Sequence, residues 1–185
     1  MQKDIKSICV FCGSDFGARD EYADGAVELG KFIAKKKIRL VYGGAKIGLM
    51  GIVAKSVMEN GGHVIGVMPQ HLADMEITYD DIPDIRIVST MHERKALMES
   101  LSDAFIAMPG GMGTLEEIFE ILTWAKLQLH NKPCGFLNIL GYYDKLMDFL
   151  NHAKNEMFIK DDFDMLFKID SNIESLMEKL GIKNS

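Results

Sequence analysis

The sequence predicts an α/β fold in which a doubly wound parallel β-sheet is covered by helices on both faces. Short apolar runs alternate with amphipathic segments along the 185 residues, and the runs are almost continuously apolar. Strands with that composition are typical of parallel sheets buried on both sides. No repeat, linker or low-complexity tract divides the chain, so we expect one domain over residues 1–185 with a frayed tail at 181–185.

Six strands are predicted from β-branched or aromatic runs bounded by glycine, proline or polar residues. They are Lys6–Phe11, Ile38–Tyr42, His63–Met68, Ile85–Val88, Ala104–Met108 and Cys134–Asn138. Helices are predicted from apolar residues at helical spacing. They are Tyr22–Lys36, Leu49–Met58, Leu97–Leu101, Thr114–Leu129, Tyr142–Asn155 and Ile173–Leu180. In such folds ligands bind beyond the carboxyl ends of the strands, so the residues that directly follow a strand are the first functional candidates.

The composition excludes several classes of protein. Lys and Arg number 21 against 27 Asp and Glu, and the formal net charge of −6 argues against a general nucleic-acid binder. No apolar stretch reaches the roughly 18 residues that a membrane helix needs. The run Ile8–Phe11 is too short for a signal peptide. We therefore expect a cytoplasmic protein that binds neither nucleic acid nor membrane.

The cysteines do not predict a disulfide framework or a metal site. Cys9 and Cys12 form a C-x-x-C pattern on a predicted strand, where residues three apart face opposite sides of the sheet. Cys134 is isolated, and no second cysteine pair completes a zinc site. We expect buried thiols and no bound metal.

The turn Gly43–Gly48 follows the second predicted strand and matches a dinucleotide-binding turn only in part. Ala45 occupies the middle glycine position, and the next strand ends without a carboxylate to hold a ribose hydroxyl. A phosphate-binding P-loop is excluded because no Gly-Lys-Ser/Thr follows. We expect no cofactor here, and close packing of a helix on the sheet accounts for Gly48 and Gly51.

A second glycine-rich turn predicts an anion site. It leaves the buried strand Ala104–Met108 and opens a helix, and its members are Pro109, Gly110, Gly111, Met112, Gly113 and Thr114. The glycines let backbone amides approach a ligand, and the start of the helix adds unpaired N–H groups and partial positive charge. The Thr114 hydroxyl can serve as a cap or as a donor to the ligand. A monoester phosphate is the natural occupant.

Three carboxylates follow this turn closely. Glu116 is explained by favourable interaction with the helix dipole. Glu117 and Glu120 lie one helical turn apart on a shared face. A carboxylate beside a phosphate dianion is repelled, so Glu117 is expected to face a cationic or protic part of the ligand. A ribose carbon developing positive charge fits this requirement, and so does a water molecule that loses a proton.

Arg94 and Lys95 follow the strand Ile85–Val88 and supply cations at the same sheet edge. Arginine can grip a phosphate with two parallel hydrogen bonds, which lysine cannot do. A solvated basic patch at the start of a helix is electrostatically disfavoured, which favours a functional role for Arg94.

The predicted helix Thr114–Leu129 has the strongest pattern in the chain. Trp124, Leu127 and Leu129 extend its apolar stripe beyond what contact with the sheet alone would need. Either this helix forms the seam of a homodimer or it is wholly buried within one chain.

Together these residues resemble the Lonely Guy family of phosphoribohydrolases, which release cytokinin bases from their nucleotides. The family signature Pro-Gly-Gly-x-Gly-Thr-x-x-Glu is matched by Pro109–Glu117. Further matches are the glycine-rich segment Gly43–Gly51, the pair Arg94-Lys95, and the stretches Leu122–Ala125 and Asn131–Pro133. Some members carry the label possible lysine decarboxylase, but no lysine here stands in a recognisable pyridoxal phosphate context.

The resemblance implies a Rossmann-like homodimer that hydrolyses the N-glycosidic bond of a purine nucleoside 5′-monophosphate. It implies that Arg94 and Glu117 are the catalytic pair and that Gly110–Thr114 hold the phosphate. It also implies that Lys95, Glu76 and Thr123 line the rest of the pocket, beside the Glu120 carboxylate noted above. A different class stays open, namely a non-catalytic carrier or sensor of a nucleotide or cofactor with the same fold.

Overall fold

The computed structural model describes residues 4–75 and 82–182, and it confirms the predicted α/β fold with a parallel sheet. The strands are β1 (Ser7–Phe11), β2 (Arg39–Tyr42), β3 (Val64–Pro69), β4 (Asp84–Val88), β5 (Ala104–Ala107), β6 (Cys134–Leu137) and β7 (Lys168–Asp170). Their order across the sheet is β4-β3-β2-β1-β5-β6-β7, and neighbouring strands are parallel. The direction of winding reverses between β1 and β5, so a crevice is expected at their carboxyl ends.

Helices cover both faces of this sheet. They are α1 (Asp20–Lys35), α2 (Gly48–Glu59), α3 (Gln70–Ala73), α4 (Met91–Leu101), α5 (Met112–Lys126), α6 (Asp144–Asn155) and α7 (Ile173–Lys179), with short 3-10 turns at Ile139–Gly141 and Asp161–Met165. In the described part of the chain, no helix combines the length and the apolar character needed to cross a bilayer.

The core has two layers, one on each face of the sheet. In β1, Ile8 and Val10 pack toward α1, α2 and α7, whereas Cys9 and Phe11 pack toward α4, α5 and α6. This alternation follows from the two-residue period of a strand. Both sets of side chains are buried, which explains why β1 is apolar at every position after Ser7.

The largest differences from the sequence-based expectation concern three elements, and α5 also starts two residues earlier and ends three residues earlier than the expected Thr114–Leu129. The strand β7 and the short helix α3 were not predicted, because their three and four residues are too few to show a period. The helix α4 begins at Met91, six residues before the expected Leu97. Thr90 caps it by accepting a hydrogen bond from the Glu93 amide at 3.0 Å, and the Glu93 carboxylate accepts one from the Ser89 amide at 2.8 Å. This arrangement is close to a capping box.

The chain is ordered further toward its carboxyl end than the expected frayed tail at 181–185. The amides of Gly181 and Ile182 donate to the carbonyls of Glu178 and Met177, which is the pattern of a Schellman motif at the end of α7. Gly181 has φ = +97°, and the Ile182 side chain is buried in the core. Residues 183–185 lie outside the described residues.

Candidate active site

A cavity of about 500 Å³ opens at the carboxyl ends of β1 and β5, where the winding of the sheet reverses. We call it the β1–β5 pocket. One wall is formed by the segment Cys12–Gly17 after β1, and the facing wall by Pro109–Thr114 after β5. Arg94 and Glu117 also line it. The pocket thus brings together the glycine-rich turn, the arginine and the carboxylate that the sequence singled out.

The turn Pro109–Thr114 presents a helix start to the pocket. Gly111 is the N-cap of α5 and provides no side-chain cap, so the amides of the first helical turn have no acceptor within the helix. A Cβ atom built on Gly111 or Gly113 meets nothing within 4 Å, whereas one on Gly110 would lie 2.1 Å from Thr114 Oγ1. Gly110 is therefore required for packing. Gly111 and Gly113 leave open space around the amides, as an anion site requires.

Arg94 reaches the pocket from the first turn of α4 and is 8% exposed. Its Nε donates to the Val67 carbonyl at 3.2 Å, and its Nη2 donates to the Gly43 carbonyl at 3.5 Å. These carbonyls belong to β3 and to the residue after β2, so two strand ends hold the guanidinium in place. Nη2 also lies 3.6 Å from Glu117 Oε1.

Gly43 leaves the space that the Arg94 guanidinium occupies. A Cβ atom on Gly43 would lie 2.3 Å from Arg94 Nη2, which is the movable end of a long side chain. We expect Gly43→Ala to fold with a Tm close to that of the wild type. The methyl group should displace the Arg94 guanidinium and thereby lower the turnover rate. Parallel measurements of turnover and thermal unfolding test this. A variant with native turnover, or one whose activity falls only because the protein unfolds, would contradict it.

Glu117 is a buried carboxylate with a cationic neighbour. It lies one turn after Thr114 on α5, and its side chain is 12% exposed. The 3.6 Å separation from Arg94 makes an ion pair without a short hydrogen bond. The residues that the structure describes form no hydrogen bond with the Glu117 carboxylate, so its oxygens are available to a ligand or a water molecule.

Burial raises the pKa of Glu117 to about 7, and the nearby Arg94 guanidinium only partly opposes this shift. The unfolded chain releases this proton near pH 4.5, so the native state holds one proton more between pH 4.5 and 7. Stability therefore falls as the pH rises through this window. Above pH 7, ionisation of Glu117 lowers the free energy of unfolding by a total on the order of 3 kcal/mol. Carboxylates with pKa values shifted this far are common at functional sites.

The other predicted site residues lie elsewhere. Lys95 makes ion pairs with Glu116 at 2.5 Å and with Glu120 at 3.1 Å, and none of these three lines the β1–β5 pocket. This network joins α4 to α5, so it aligns the two helices that carry Arg94 and Glu117. Thr123 is exposed, and its hydroxyl donates to the Phe119 carbonyl of its own helix. Glu76 lies outside the described residues.

The sequence assigned no individual role to several residues that line the pocket. They include Asp15, Phe16, Tyr22, Met50 and Tyr142. The position of Asp15 and Phe16 directly after β1 was a usable signal, because strand ends meet at one edge of the sheet. Tyr142 carried no such signal, since it follows a 3-10 turn rather than a strand and reaches the pocket only through tertiary packing.

The turn Gly43–Gly48 has a structural role in addition to making room for Arg94. The amides of Leu49 and Met50 at the start of α2 donate to the Gly13 carbonyl at 3.0 and 3.4 Å. A Cβ atom on Gly48 would lie 2.2 Å from the backbone of Ser14, so the segment after β1 is in close contact with α2. Gly48 thus has a packing role, but against the loop after β1 and not against the sheet as expected.

The cysteines are free and buried, as predicted from the strand pattern. Cys9 and Cys12 belong to core layers on opposite faces of the sheet. Cys12 also lines the β1–β5 pocket, and burial raises the pKa of its thiol well above the ordinary value.

The sequence is closely similar to plant phosphoribohydrolases. It is 49% identical over 179 residues to a probable cytokinin riboside 5′-monophosphate phosphoribohydrolase of Oryza sativa subsp. japonica, covering 97% of this chain and 79% of that protein. An Arabidopsis thaliana cytokinin riboside 5′-monophosphate phosphoribohydrolase is 47% identical over 95% of this chain and 77% of its own length. The chain belongs to the Lonely Guy family. The sequence model described as "possible lysine decarboxylase" also matches residues 50–180.

Solved structures of more distantly similar proteins share the fold. The molybdenum cofactor binding protein of the phototrophic bacterium Rippkaea orientalis superposes with a TM-score of 0.72 at 22% identity, over 96% of both chains. The Moco carrier protein of Chlamydomonas reinhardtii gives a TM-score of 0.70 at 22% identity, over 98% of this chain and all of that one. At this identity, the likeness shows the fold alone.

Proposed function

We propose that this protein hydrolyses the N-glycosidic bond of purine nucleoside 5′-monophosphates and releases the free base and ribose 5-phosphate. Adenine and N6-modified adenine nucleotides are the expected substrates, in keeping with the activity named for its relatives. The observation that carries this proposal is the β1–β5 pocket, in which a buried Arg94–Glu117 pair lies beside a helix start with free amides.

The phosphate is the part of the substrate that the turn fits. Amides of Gly111, Met112 and Gly113 would donate to its oxygens, with the Thr114 hydroxyl as a further donor. This binding is remote from the breaking bond, so its energy positions the sugar for reaction. Lys95, Glu120 and Thr123 lie outside this cavity and are proposed to act indirectly at most, through the alignment of α4 with α5.

Cleavage of the C1′–N9 bond gives a ribose with oxocarbenium character, as in glycoside hydrolysis. The water oxygen bonds to C1′, one water proton is lost, and the departing base takes up a proton. Ionised Glu117 would either stabilise the positive sugar or accept the water proton. Arg94 would hold the phosphate and assist departure of the base.

The direct test is incubation of the pure protein with AMP, with free adenine measured by chromatography. We expect adenine release from AMP and little release from adenosine, because the nucleoside lacks the phosphate that the turn binds. Equal cleavage of the two compounds would argue against the phosphate site. Tight binding of AMP without adenine release would favour the alternative of a non-catalytic carrier.

The rate should depend on the ionisation of Glu117. Because burial raises its pKa to about 7, we expect kcat/KM to rise with pH through about 7 and then to level off. Both roles considered for Glu117 require the ionised carboxylate, so they predict the same direction. The pH–rate profile between pH 5 and 9 tests this, and a profile that falls through this range would contradict it.

We also propose that the chain forms a homodimer with α5 at the seam. Leu127 and Leu129, just after this helix, are 64% and 70% exposed, and Trp124 is half-buried. A second copy would cover these apolar side chains. Light scattering gives the mass in solution, and a monomer at micromolar concentration would exclude this assembly.

A further inference from the structure

Three consecutive carbonyls directly after β5 each accept a hydrogen bond from a donor in another part of the chain. The bonds are Tyr143 Oη to Met108 O at 2.5 Å, Gly13 N to Pro109 O at 3.0 Å, and Tyr142 Oη to Gly110 O at 2.6 Å. The last bond falls inside the glycine-rich turn. It fixes a carbonyl directly before the first amides of α5, in a segment that lines the pocket.

The orientation of the Gly110 carbonyl determines the orientation of the Gly111 amide. A trans peptide is planar, so the carbonyl oxygen and the following N–H point in opposite directions. Glycine on both sides of this peptide removes the Cβ contacts that normally restrict rotation. If the peptide flipped, the Gly110 oxygen would point where the Gly111 N–H now points, and it would repel an anion.

We propose that Tyr142 is a positioning residue that prevents this flip and thereby sets the affinity of the turn for phosphate. The proposal rests on the proposed function of the β1–β5 pocket. The proposed role depends on the hydrogen bond from the Tyr142 hydroxyl to the Gly110 carbonyl.

The Tyr142 ring is itself fixed by its surroundings. Leu140 and Gly141 adopt left-handed conformations with φ of 51° and 69°, which turns the chain sharply before Tyr142. The ring then packs edge-on against Tyr22 and Tyr143, with centroid distances of 5.7 and 5.0 Å. Because these contacts do not involve the hydroxyl, Tyr142→Phe removes the bond to Gly110 and retains the packing.

The test compares the wild type with Tyr142→Phe in binding and in turnover. Loss of one neutral hydrogen bond predicts an increase of about three- to tenfold in the Kd for ribose 5-phosphate, measured by calorimetry. KM for AMP should rise by a similar factor with kcat nearly unchanged, while cleavage of adenosine should stay the same. An unchanged Kd for ribose 5-phosphate, or an equal loss with AMP and adenosine, would overturn the proposal.

A ligand-free measurement separates positioning from direct contact with the phosphate. In Tyr142→Phe, the Gly111 amide should show microsecond-to-millisecond exchange by relaxation dispersion, and in the wild type it should not. Weaker binding of ribose 5-phosphate with an unaltered Gly111 amide would mean that Tyr142 touches the ligand, and the proposal would be wrong.

Tyr143→Phe is the matched control, because it removes the neighbouring bond to Met108 outside the turn. It should lower Tm and leave the Kd for ribose 5-phosphate unchanged. The binding measurements do not require the protein to be catalytically active. If neither protein released adenine but Tyr142→Phe alone bound ribose 5-phosphate more weakly, the positioning role would hold and only the proposed hydrolysis would fail.

Discussion

Replacing Glu117 with glutamine is expected to lower kcat for base release by about 10²- to 10⁴-fold while the Kd for AMP stays near the wild-type value. Glutamine keeps the size of the side chain, but it can neither accept a proton from water nor carry the negative charge that stabilises a positive ribose. Single-turnover release of adenine and calorimetric binding of AMP measure the two effects separately. Wild-type turnover in Glu117→Gln would exclude the assigned role.

The same variant should be more stable than the wild type at pH 8. Above pH 7 the native wild type contains a buried ionised carboxylate that glutamine does not have, and below pH 4.5 the carboxyl is neutral in both states. We therefore expect a higher Tm at pH 8 and a smaller difference at pH 5. Glu116→Gln is the matched control, since it changes a half-exposed neighbour outside the pocket and should retain most of the activity. A lower Tm in Glu117→Gln at pH 8 would contradict the conclusion that the ionised Glu117 carboxylate destabilises the folded protein.

Replacing Arg94 with alanine is expected to lower kcat/KM for AMP by about 10²- to 10³-fold, the range found when one preorganised donor is removed. The guanidinium is also the nearest cation to Glu117, and it holds the pKa of that carboxyl below the value that burial alone would give. Without Arg94, the rising limb of the pH–rate profile should move to higher pH. Steady-state kinetics from pH 5 to 10 measure both changes.

Arg86→Ala is the control for the loss of one arginine. Arg86 lies on β4, is exposed, and pairs with Asp84 outside the pocket, so its removal should leave kcat/KM unchanged. Arg94→Lys should fall between the two variants, because it keeps a charge but loses the fork that bonds both Val67 and Gly43. If the pH–rate profile of Arg94→Ala were not shifted, Arg94 would have no effect on the pKa of Glu117, which would contradict this prediction.

Much of the fold was predictable because local pattern and tertiary role agree. The central strands β1 and β3 are apolar at nearly every position, and their ends fall close to the predicted ones. The start of α4 was missed because its first turn is polar, although Thr90 and Glu93 form a recognisable capping pattern. The strand β7 has three residues and depends on pairing with β6, which no local pattern reveals.

The site was predictable where function depends on residues placed at the ends of strands. The turn Gly110–Thr114, Arg94 and Glu117 line one pocket because the switch point brings their elements together. The role of Gly43 was not predictable, because it depends on the path of a side chain 51 residues away. Lys95 is adjacent to Arg94 in sequence, yet the helical rotation directs it to Glu116 and Glu120 instead.

The walls of the β1–β5 pocket are distant in the sequence, since one follows the first strand and the other the fifth, with Tyr142 reached later still. A nascent chain that has emerged from the ribosome only as far as α4 has the arginine but neither the carboxylate nor the amides. A fragment that ends before α5 therefore cannot form the complete pocket. Hydrolysis by this protein would accordingly require a chain in which the central strands of the sheet have already paired.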